Sequence, residues 1–203
     1  MRALPLLWEE SEMEYGTESM TNAELLSELL GTKVEVENLQ DVVRAPSAIK
    51  NVGEKRSRKI YAIRELCQRL MIKESAPVEV IHGPEDVAHY FMPRMRLLTE
   101  EHFDILLLNT KNHILRSCTV STGSLTASVV HPREVFKAAC VHSAASIILV
   151  HNHPSGDPSP SREDIALTQR LVKAGRMMDI PVLDHIIIGD ERFVSFKEKG
   201  LLN

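Results

Sequence analysis

The sequence predicts an α/β protein in which a mixed sheet is flanked by helices and preceded by a small helical N-terminal region. Two observations carry this prediction. From residue 78 onward, short apolar runs typical of buried strands, such as 146–150, alternate with stretches of helical spacing, such as 161–177. Before residue 75, apolar spacing and capping signals predict helices alone. We therefore divide the chain into 1–18, 19–75 and 78–203.

Composition limits the class of protein. At 203 residues with 43% hydrophobic content, the chain can bury one core and a small second unit. No apolar run reaches about eighteen residues and no secretory leader is visible, so we expect neither a membrane span nor export. Cys67, Cys118 and Cys140 are widely spaced and odd in number, which is typical of a reducing compartment. We expect a cytoplasmic protein with no membrane partner; the oligomeric state is not indicated.

The N-terminal region begins with an acidic stretch, 1–18, that has few periodic signals and is predicted to be mobile. Thr21 and Glu24 then form a capping-box pattern that opens a helix. Gly31 suits the end of that helix. The region 19–75 is predicted to be a small helical region.

A basic segment, residues 44–73, carries nine lysines and arginines against two glutamates. Its centre, Asn51-Val52-Gly53 followed by helical spacing, resembles a helix-hairpin-helix, in which turn amides and nearby cations bind a DNA phosphate. That motif has glycine where Asn51 stands, but asparagine tolerates a positive φ. DNA is therefore a candidate partner of this segment, and the alternative is a solvated face of an amphipathic helix.

A linker near 73–77 separates this segment from the predicted sheet domain. Gly83 and Pro84 then start a helix, 84–98, in which Pro93 is expected to cause a kink. The remaining elements follow in order: strands at 103–109, 113–121 and 124–130, a helix at 132–143, a strand at 146–151, a helix at 161–177, and strands at 181–188 and 193–196.

The most informative stretch is 151–164, which reads HNHPSGDPSPSRED. Side chains two apart on a strand face the same way, so His151 and His153 point to one side. Prolines and a glycine then turn the chain back to a helix whose N-cap is Ser161 and whose first turn holds Asp164. A strand end and a helix start can thus bring two imidazoles and a carboxylate together.

Three protein ligands are typical of catalytic zinc, which keeps its fourth position open for water. Zinc lowers the pKa of that water to about 7, so the chemistry also needs a proton acceptor. Glu101, at the start of a predicted strand, is the favoured candidate. Glu134 is the rival, although an acidic residue behind Pro132 in the first turn of a helix also simply favours the helix dipole.

The spacing His-x-His, seven residues, Ser, two residues, Asp, with a Glu about fifty positions upstream, resembles the JAMM (MPN+) zinc metallopeptidase motif. Together with HPREVFKAA and LDHIIIGD, it is similar to the RadC branch of that family, densely over 78–203. The family's fold is a cytidine-deaminase-like sheet flanked by helices. By this resemblance the zinc ligands are His151, His153 and Asp164, the general base is Glu101, and the hydroxyl that stabilises the oxyanion is that of Ser161.

The resemblance implies hydrolysis of an amide or isopeptide bond in a peptide or protein substrate. Compared with the family pattern, the region 31–48 is shortened, which weakens the DNA-binding hypothesis. Each site residue also has a structural reading: Ser161 and Asp164 could be the two ends of a capping box. His185, on a predicted strand, is interpreted as a structural group or as support for a ligand.

Two further classes of function are weighed against the hydrolase. One is a DNA-binding repair or recombination factor in which the metal domain is accessory. The other is a zinc base deaminase, but the chain lacks the Pro-Cys-x-x-Cys partner which that chemistry requires. The hydrolase is the leading prediction.

Overall fold

The computed structural model describes residues 17–36, 38–74, 79–123 and 130–202. The chain divides into two compact units, residues 1–62 and 63–203. Most of the predicted mobile stretch 1–18, the linker around 75–77 and the predicted strand at 124–130, apart from residue 130, lie outside the described residues.

The first unit is helical, as predicted. Helix α1 (Asn22–Leu30) is preceded by the N-cap Thr21, which forms the expected capping box with Glu24, and it ends at Gly31, whose φ of 62° is left-handed. Helix α2 (Leu39–Arg44) and two short 3-10 turns (Thr17–Ser19, Pro46–Ala48) complete its regular structure before helix α3 (Glu54–Glu74).

A small apolar core holds the first unit together. It is formed by one buried side chain from α1, one from α2, one from α3 and two from the connections: Leu30, Val42, Ile60, Val34 and Val52. Farther along α3, the apolar positions that follow are not buried: Leu66 and Leu70 are exposed. The helical spacing therefore identified the helix correctly, but it did not identify a continuous buried face.

The second unit is built on a mixed five-stranded sheet, which confirms the predicted α/β class. Its strands are β1 (His102–Leu108), β2 (Ile114–Thr122), β3 (Ser146–Asn152), β4 (Val182–Ile188) and β5 (Phe193–Ser195). They lie in the order β2-β1-β3-β4-β5. Only the β3–β4 pair is parallel, and the other neighbours are antiparallel. The parallel pair sits where helix α6 (Arg162–Met177) crosses from β3 to β4.

Helices cover both faces of this sheet. Helix α4 (Pro84–Met95) packs on one face, and helices α5 (Pro132–Val141) and α6 pack on the other. The side chains of β1 alternate between the two cores, with Ile105 facing α5 and α6 and Leu106 facing α4. All seven residues of β3 are buried, as expected of a central strand covered on both sides.

Candidate metal centre

The two candidate imidazole ligands come from the carboxyl end of the central strand. His151 is completely buried and lies two residues after Leu149, whose side chain belongs to the core beneath α5 and α6. Alternation along β3 therefore puts His151 on the face covered by α6. His153 follows the strand directly and is partly exposed, and its backbone N–H donates to the carbonyl of Ile188 at the end of β4.

The carboxylate comes from the start of α6, where a capping box fixes it. Ser161 is the N-cap, and its Oγ accepts from the backbone N–H of Asp164 at 3.1 Å. In return, Asp164 Oδ2 accepts from the backbone N–H of Ser161 at 2.8 Å and from its hydroxyl at 2.6 Å. The structural reading of this pair is thus confirmed, and the same contacts hold the carboxylate beside the two histidines.

The three side chains meet at distances that suit one metal ion. His151 Nε2 lies 3.0 Å from His153 Nε2 and 3.3 Å from Asp164 Oδ1, and His153 Nε2 lies 3.5 Å from Asp164 Oδ2. A tetrahedral zinc with bonds of about 2.0–2.2 Å separates its ligand atoms by roughly 3.3–3.6 Å. The two distances to Asp164 fall in this range, whereas the 3.0 Å between the imidazoles is shorter than it. Two imidazoles and one carboxylate fit zinc in number and chemistry.

The remaining ring nitrogen of each histidine is held by the protein. His153 Nδ1 lies 2.7 Å from the carbonyl oxygen of Asp157, in the loop that leads to α6. That loop packs closely on the turn after β4, where a Cβ on Gly189 would come within 2.5 Å of a loop carbonyl. His151 Nδ1 lies 2.8 Å from Nε2 of His185, a completely buried residue of β4. His185 thus contacts a candidate ligand on the ring nitrogen that faces away from His153 and Asp164.

Burial and charge set different protonation preferences for the three groups. Burial lowers the pKa of His151 to about 4. A hydrogen bond with Asp164 raises the pKa of His153, although burial opposes it. Burial by itself would raise the pKa of Asp164, but the hydrogen bond with His153 and the neighbouring imidazole and Ser161 contacts hold it well below its usual range. The site therefore presents an ionised Asp164 carboxylate and a neutral His151 ring, as metal binding requires.

Glu101, the predicted general base, precedes β1 directly, and its backbone is anchored on both sides. The Asn152 side chain accepts from the backbone N–H of His102 at 2.8 Å and donates to the carbonyl of Glu100 at 3.0 Å. The carbonyl of Glu101 itself accepts from Gly123. The charge of Glu101 is the smallest of the contributions that raise the pKa of His153.

Glu134, the rival base, occupies the first turn of α5 as its sequence position predicts. Its carboxylate pairs with the neighbouring Arg133 at 3.0 Å, and both side chains are largely exposed. That ion pair, and the favourable position at the start of a helix, are a sufficient structural account of Glu134.

Sequence reasoning missed two residues at this site. Asn152 lies between the two histidines and faces the opposite side of the strand, so the His-x-His spacing drew no attention to it. Thr168 stands one helical turn after Asp164 and is completely buried beside His185. Helical spacing from Asp164 was the available signal, since residues four apart lie on one face of a helix.

The basic segment has a mixed outcome. The turn carries Asn51 at a φ of 69°, as expected, and α3 begins at Glu54 directly after it. Several cations are engaged within the chain, however. Arg56 donates to the carbonyls of Leu30 and Asn51, and Arg58 pairs with Glu54. Lys55 and Lys59 are exposed on the same helix.

The membrane prediction can be examined for the helices that the structure describes. Among residues 17–36, 38–74, 79–123 and 130–202, no helix has both the length and the apolar character needed to cross a bilayer.

Comparison with known proteins places these features in a family. The profile of the family described as RadC-like JAB domain matches residues 81–201. A UPF0758 protein from Desulforamulus reducens is 50% identical over 188 residues, which cover 92% of this chain and 83% of the relative. UPF0758 proteins from Caldanaerobacter subterraneus and Methanosarcina acetivorans are 45% and 46% identical, covering 93% and 92% of this chain and 88% and 89% of the relatives.

Proposed function

Because the chain belongs to the family of RadC-like JAB domain proteins, we propose that it is a zinc-dependent metallohydrolase that cleaves an amide or isopeptide bond of a peptide or protein. The observation that carries the proposal is the convergence of His151, His153 and Asp164 within 4.8 Å of one another, from a strand end and a helix start. Glu101, which precedes β1 and contributes to the raised pKa of His153, is the proposed proton acceptor that such chemistry needs.

The three ligands divide the work of holding a zinc ion. His151 is fixed in a buried frame, Asp164 brings the negative charge, and His153 closes the site from the partly exposed loop. When bound, the ion lowers the pKa of water to about 7 and polarises the substrate carbonyl. One coordination position is left to solvent or substrate in a three-ligand site.

In the proposed reaction, Glu101 takes a proton from the attacking water and later gives it to the leaving amine. Such proton transfer by a positioned carboxylate contributes about 100- to 10,000-fold in rate. The amide of Asn152 grips the backbone on both sides of Glu101 and is itself part of the strand end that carries the histidines. The backbone that carries the proposed base is therefore hydrogen-bonded to the end of β3, the same strand that carries His151.

Ser161 is proposed to donate its hydroxyl to the oxyanion that forms as the carbonyl is attacked. A hydroxyl has one proton, and that of Ser161 is donated to Asp164 Oδ2. The proposed role therefore requires the hydroxyl to turn from the carboxylate toward the substrate during the reaction. Its position as N-cap, which depends on the oxygen accepting from Asp164 N, is unaffected by that turn.

DNA binding through residues 44–73 is a second candidate function. The observation that favours it is the positive φ of Asn51, which permits the turn that the helix-hairpin-helix needs, next to the exposed Lys55 and Lys59. In that case the protein would act as a repair or recombination factor and the metal domain would be an accessory.

We place both candidate functions in the cytoplasm. Cys67, Cys118 and Cys140 are free thiols, as expected for a protein kept in a reducing compartment.

Two measurements on the full chain test the hydrolase. The purified protein should hold one zinc per chain, and the double variant His151→Ala, His153→Ala should hold none. In a peptide-library screen that includes lysine-linked isopeptides, the wild type should cleave, while Glu101→Gln should keep its zinc and lose at least about 100-fold in rate. The proposal would be overturned if the wild type and Glu101→Gln both bound zinc and cleaved at equal rates. It would also be overturned if both bound zinc and neither cleaved any peptide.

A further inference from the structure

A chain of buried hydrogen bonds connects two of the proposed zinc ligands behind the site. The backbone carbonyl of Asp164 accepts a hydrogen bond from the Thr168 hydroxyl at 2.6 Å. The same hydroxyl oxygen lies 2.6 Å from His185 Nδ1, and His185 Nε2 lies 2.8 Å from His151 Nδ1. Thr168, His185 and His151 are all completely buried. The chain runs from α6 through β4 to β3 and so joins all three elements around the site.

Only one placement of the protons makes all three of these contacts hydrogen bonds. The carbonyl of Asp164 can only accept, so the single hydroxyl proton of Thr168 is donated there. The contact between Thr168 and His185 is then a hydrogen bond only if His185 Nδ1 carries a proton and donates it. A neutral His185 has no second proton, so its Nε2 accepts from His151 Nδ1. A neutral His151 is then bare at Nε2, the atom that faces His153 and Asp164.

The surroundings of His185 keep its ring neutral and in place. Its ring lies against two phenylalanines, with centroids 4.6 Å from Phe196 and 5.7 Å from Phe103. Its two polar contacts are to an uncharged hydroxyl and to another imidazole. A charged ring, which would donate from both nitrogens, is disfavoured here.

We infer that Thr168 and His185 are positioning residues that fix the tautomer of His151, so that its Nε2 lone pair is presented to the metal. This inference rests on the proposed metal site and deepens it. Ligand histidines usually give their second ring N–H to a carboxylate, a carbonyl or water. Here His153 follows that pattern through the Asp157 carbonyl, whereas His151 reaches its carbonyl, that of Asp164, only through a neutral imidazole and a hydroxyl.

We call the hydrogen bonds that join the Asp164 carbonyl, Thr168, His185 and His151 the relay. The variant Thr168→Val tests the relay with little change in side-chain shape. Without the hydroxyl, His185 Nδ1–H has no acceptor, so the ring proton moves to Nε2 and points at His151. His151 must then accept at Nδ1 and carry its proton at Nε2, where it blocks the metal. Thr168→Ser keeps the hydroxyl and is the matched control.

The direct readout is the tautomer of His151 in the metal-free full chain, from nitrogen-15 chemical shifts of the imidazoles at neutral pH. Signals are assigned by their loss in His151→Gln and His185→Gln. In the wild type and in Thr168→Ser we expect the proton of both rings on Nδ1. In Thr168→Val we expect it on Nε2 of both. A wild-type His151 protonated at Nε2 overturns the inference, and so does an unchanged tautomer in Thr168→Val.

The second readout is zinc affinity, measured by competition with a chelator. Loss of such a supporting contact typically weakens metal binding by roughly 10- to 100-fold. We expect this loss in Thr168→Val and near-wild-type affinity in Thr168→Ser; equal affinity in all three proteins contradicts the inference. If the wild type binds no zinc, the proposed hydrolase fails, while the wild-type nitrogen shifts still decide the relay. They need no variant, so a misfolded Thr168→Val does not remove the test.

Discussion

The candidate metal centre of the second unit and the basic segment, residues 44–73, were both singled out by their ionisable residues, yet these residues are placed in opposite ways. At the candidate metal centre, His151 and Asp164 are buried, with His151 hydrogen-bonded to His185 and Asp164 to Ser161. Along the basic segment, Lys55 and Lys59 are exposed, and Arg56 and Arg58 bind groups of their own unit. Ionisable side chains that converge from separate elements indicate a site, whereas a run of charged residues along one helix does not indicate a site by itself.

The physical reason lies in the free energy of burying polar groups. Burying an unpaired polar group costs several kcal/mol, so a buried cluster persists only where the fold satisfies it. Exposed ion pairs contribute about 0–1 kcal/mol and cost little to form. A buried set of ligands therefore demands a functional account, whereas a run of exposed lysines is compatible with many.

The largest effect is expected when the negative charge of Asp164 is removed while the cap of α6 is kept. Asp164→Asn retains an oxygen that can accept from Ser161, but it lacks the anionic ligand. We expect zinc affinity to fall by more than about 100-fold, beyond the effect of losing a supporting contact. The rise in unfolding temperature on adding zinc should disappear accordingly.

Glu163→Gln is the matched control for that prediction. It removes the same charge from the adjacent, exposed position in the first turn of α6. Its zinc affinity and its zinc-dependent unfolding temperature should equal those of the wild type. Equal losses in the two variants would mean that general electrostatics, rather than ligation by Asp164, attracts the metal.

The next prediction concerns a cation of the basic segment that we expect to be structural. Arg56 donates to the carbonyl of Leu30, the last residue of α1, at 3.2 Å and to that of Asn51 at 3.3 Å. Arg56→Ala should lower the opening free energy of residues 22–60 by about 1–2 kcal/mol, measured by amide hydrogen exchange. Lys55→Ala, one residue earlier and exposed, should leave it within about 0.5 kcal/mol.

DNA binding provides the complementary test of the same segment. If the turn at Asn51 binds a phosphate, Lys55→Gln, Lys59→Gln should weaken binding to a DNA duplex several-fold. It should also reduce the slope of log affinity against log salt by about 2, since each lost phosphate contact contributes about 0.9. Lys137→Gln, Lys173→Gln removes the same charge from exposed positions of α5 and α6. Identical salt slopes in the two double variants would rule out a specific role for α3.

The smallest effect is expected at a half-buried carboxylate away from the candidate metal centre, that of Asp104, on the sheet face covered by α4. Burial raises the pKa of Asp104, although a hydrogen bond with Thr119 and the charges of His102 and Arg94 oppose the shift. Its Oδ1 has no hydrogen-bond partner among the described residues. As the pH rises above the ordinary aspartate value of 3.8, the unfolded chain ionises first, so ionisation lowers the stability of the folded chain.

Asp104→Asn carries no charge and should avoid that loss. We expect it to be more stable than the wild type at neutral pH by about 1 kcal/mol or less, and equally stable below the unfolded pKa. Urea unfolding at both pH values measures the difference. A variant that is less stable at neutral pH would show that the ionised carboxylate has a favourable partner.

Much of the fold was predictable because its signals are local. The capping boxes at Thr21 and Ser161 marked the starts of α1 and α6, and Gly31 marked the end of α1. The apolar run at 146–150 identified the central strand β3. Leu66 and Leu70 gave the reverse case, because their helical spacing was correct while their burial depended on neighbours that the pattern does not encode.

Which three side chains converge at the candidate centre was predictable from the sequence, because strand alternation and a helix cap are local geometry and the spacing between them is short. How those side chains are supported depends on the tertiary fold. His185 contacts His151 from β4 and is itself contacted by Thr168 from α6, and Asn152 reaches the backbone around Glu101 some fifty residues earlier. Such contacts depend on which strands pair and which helix covers them, so a local sequence pattern does not predict them.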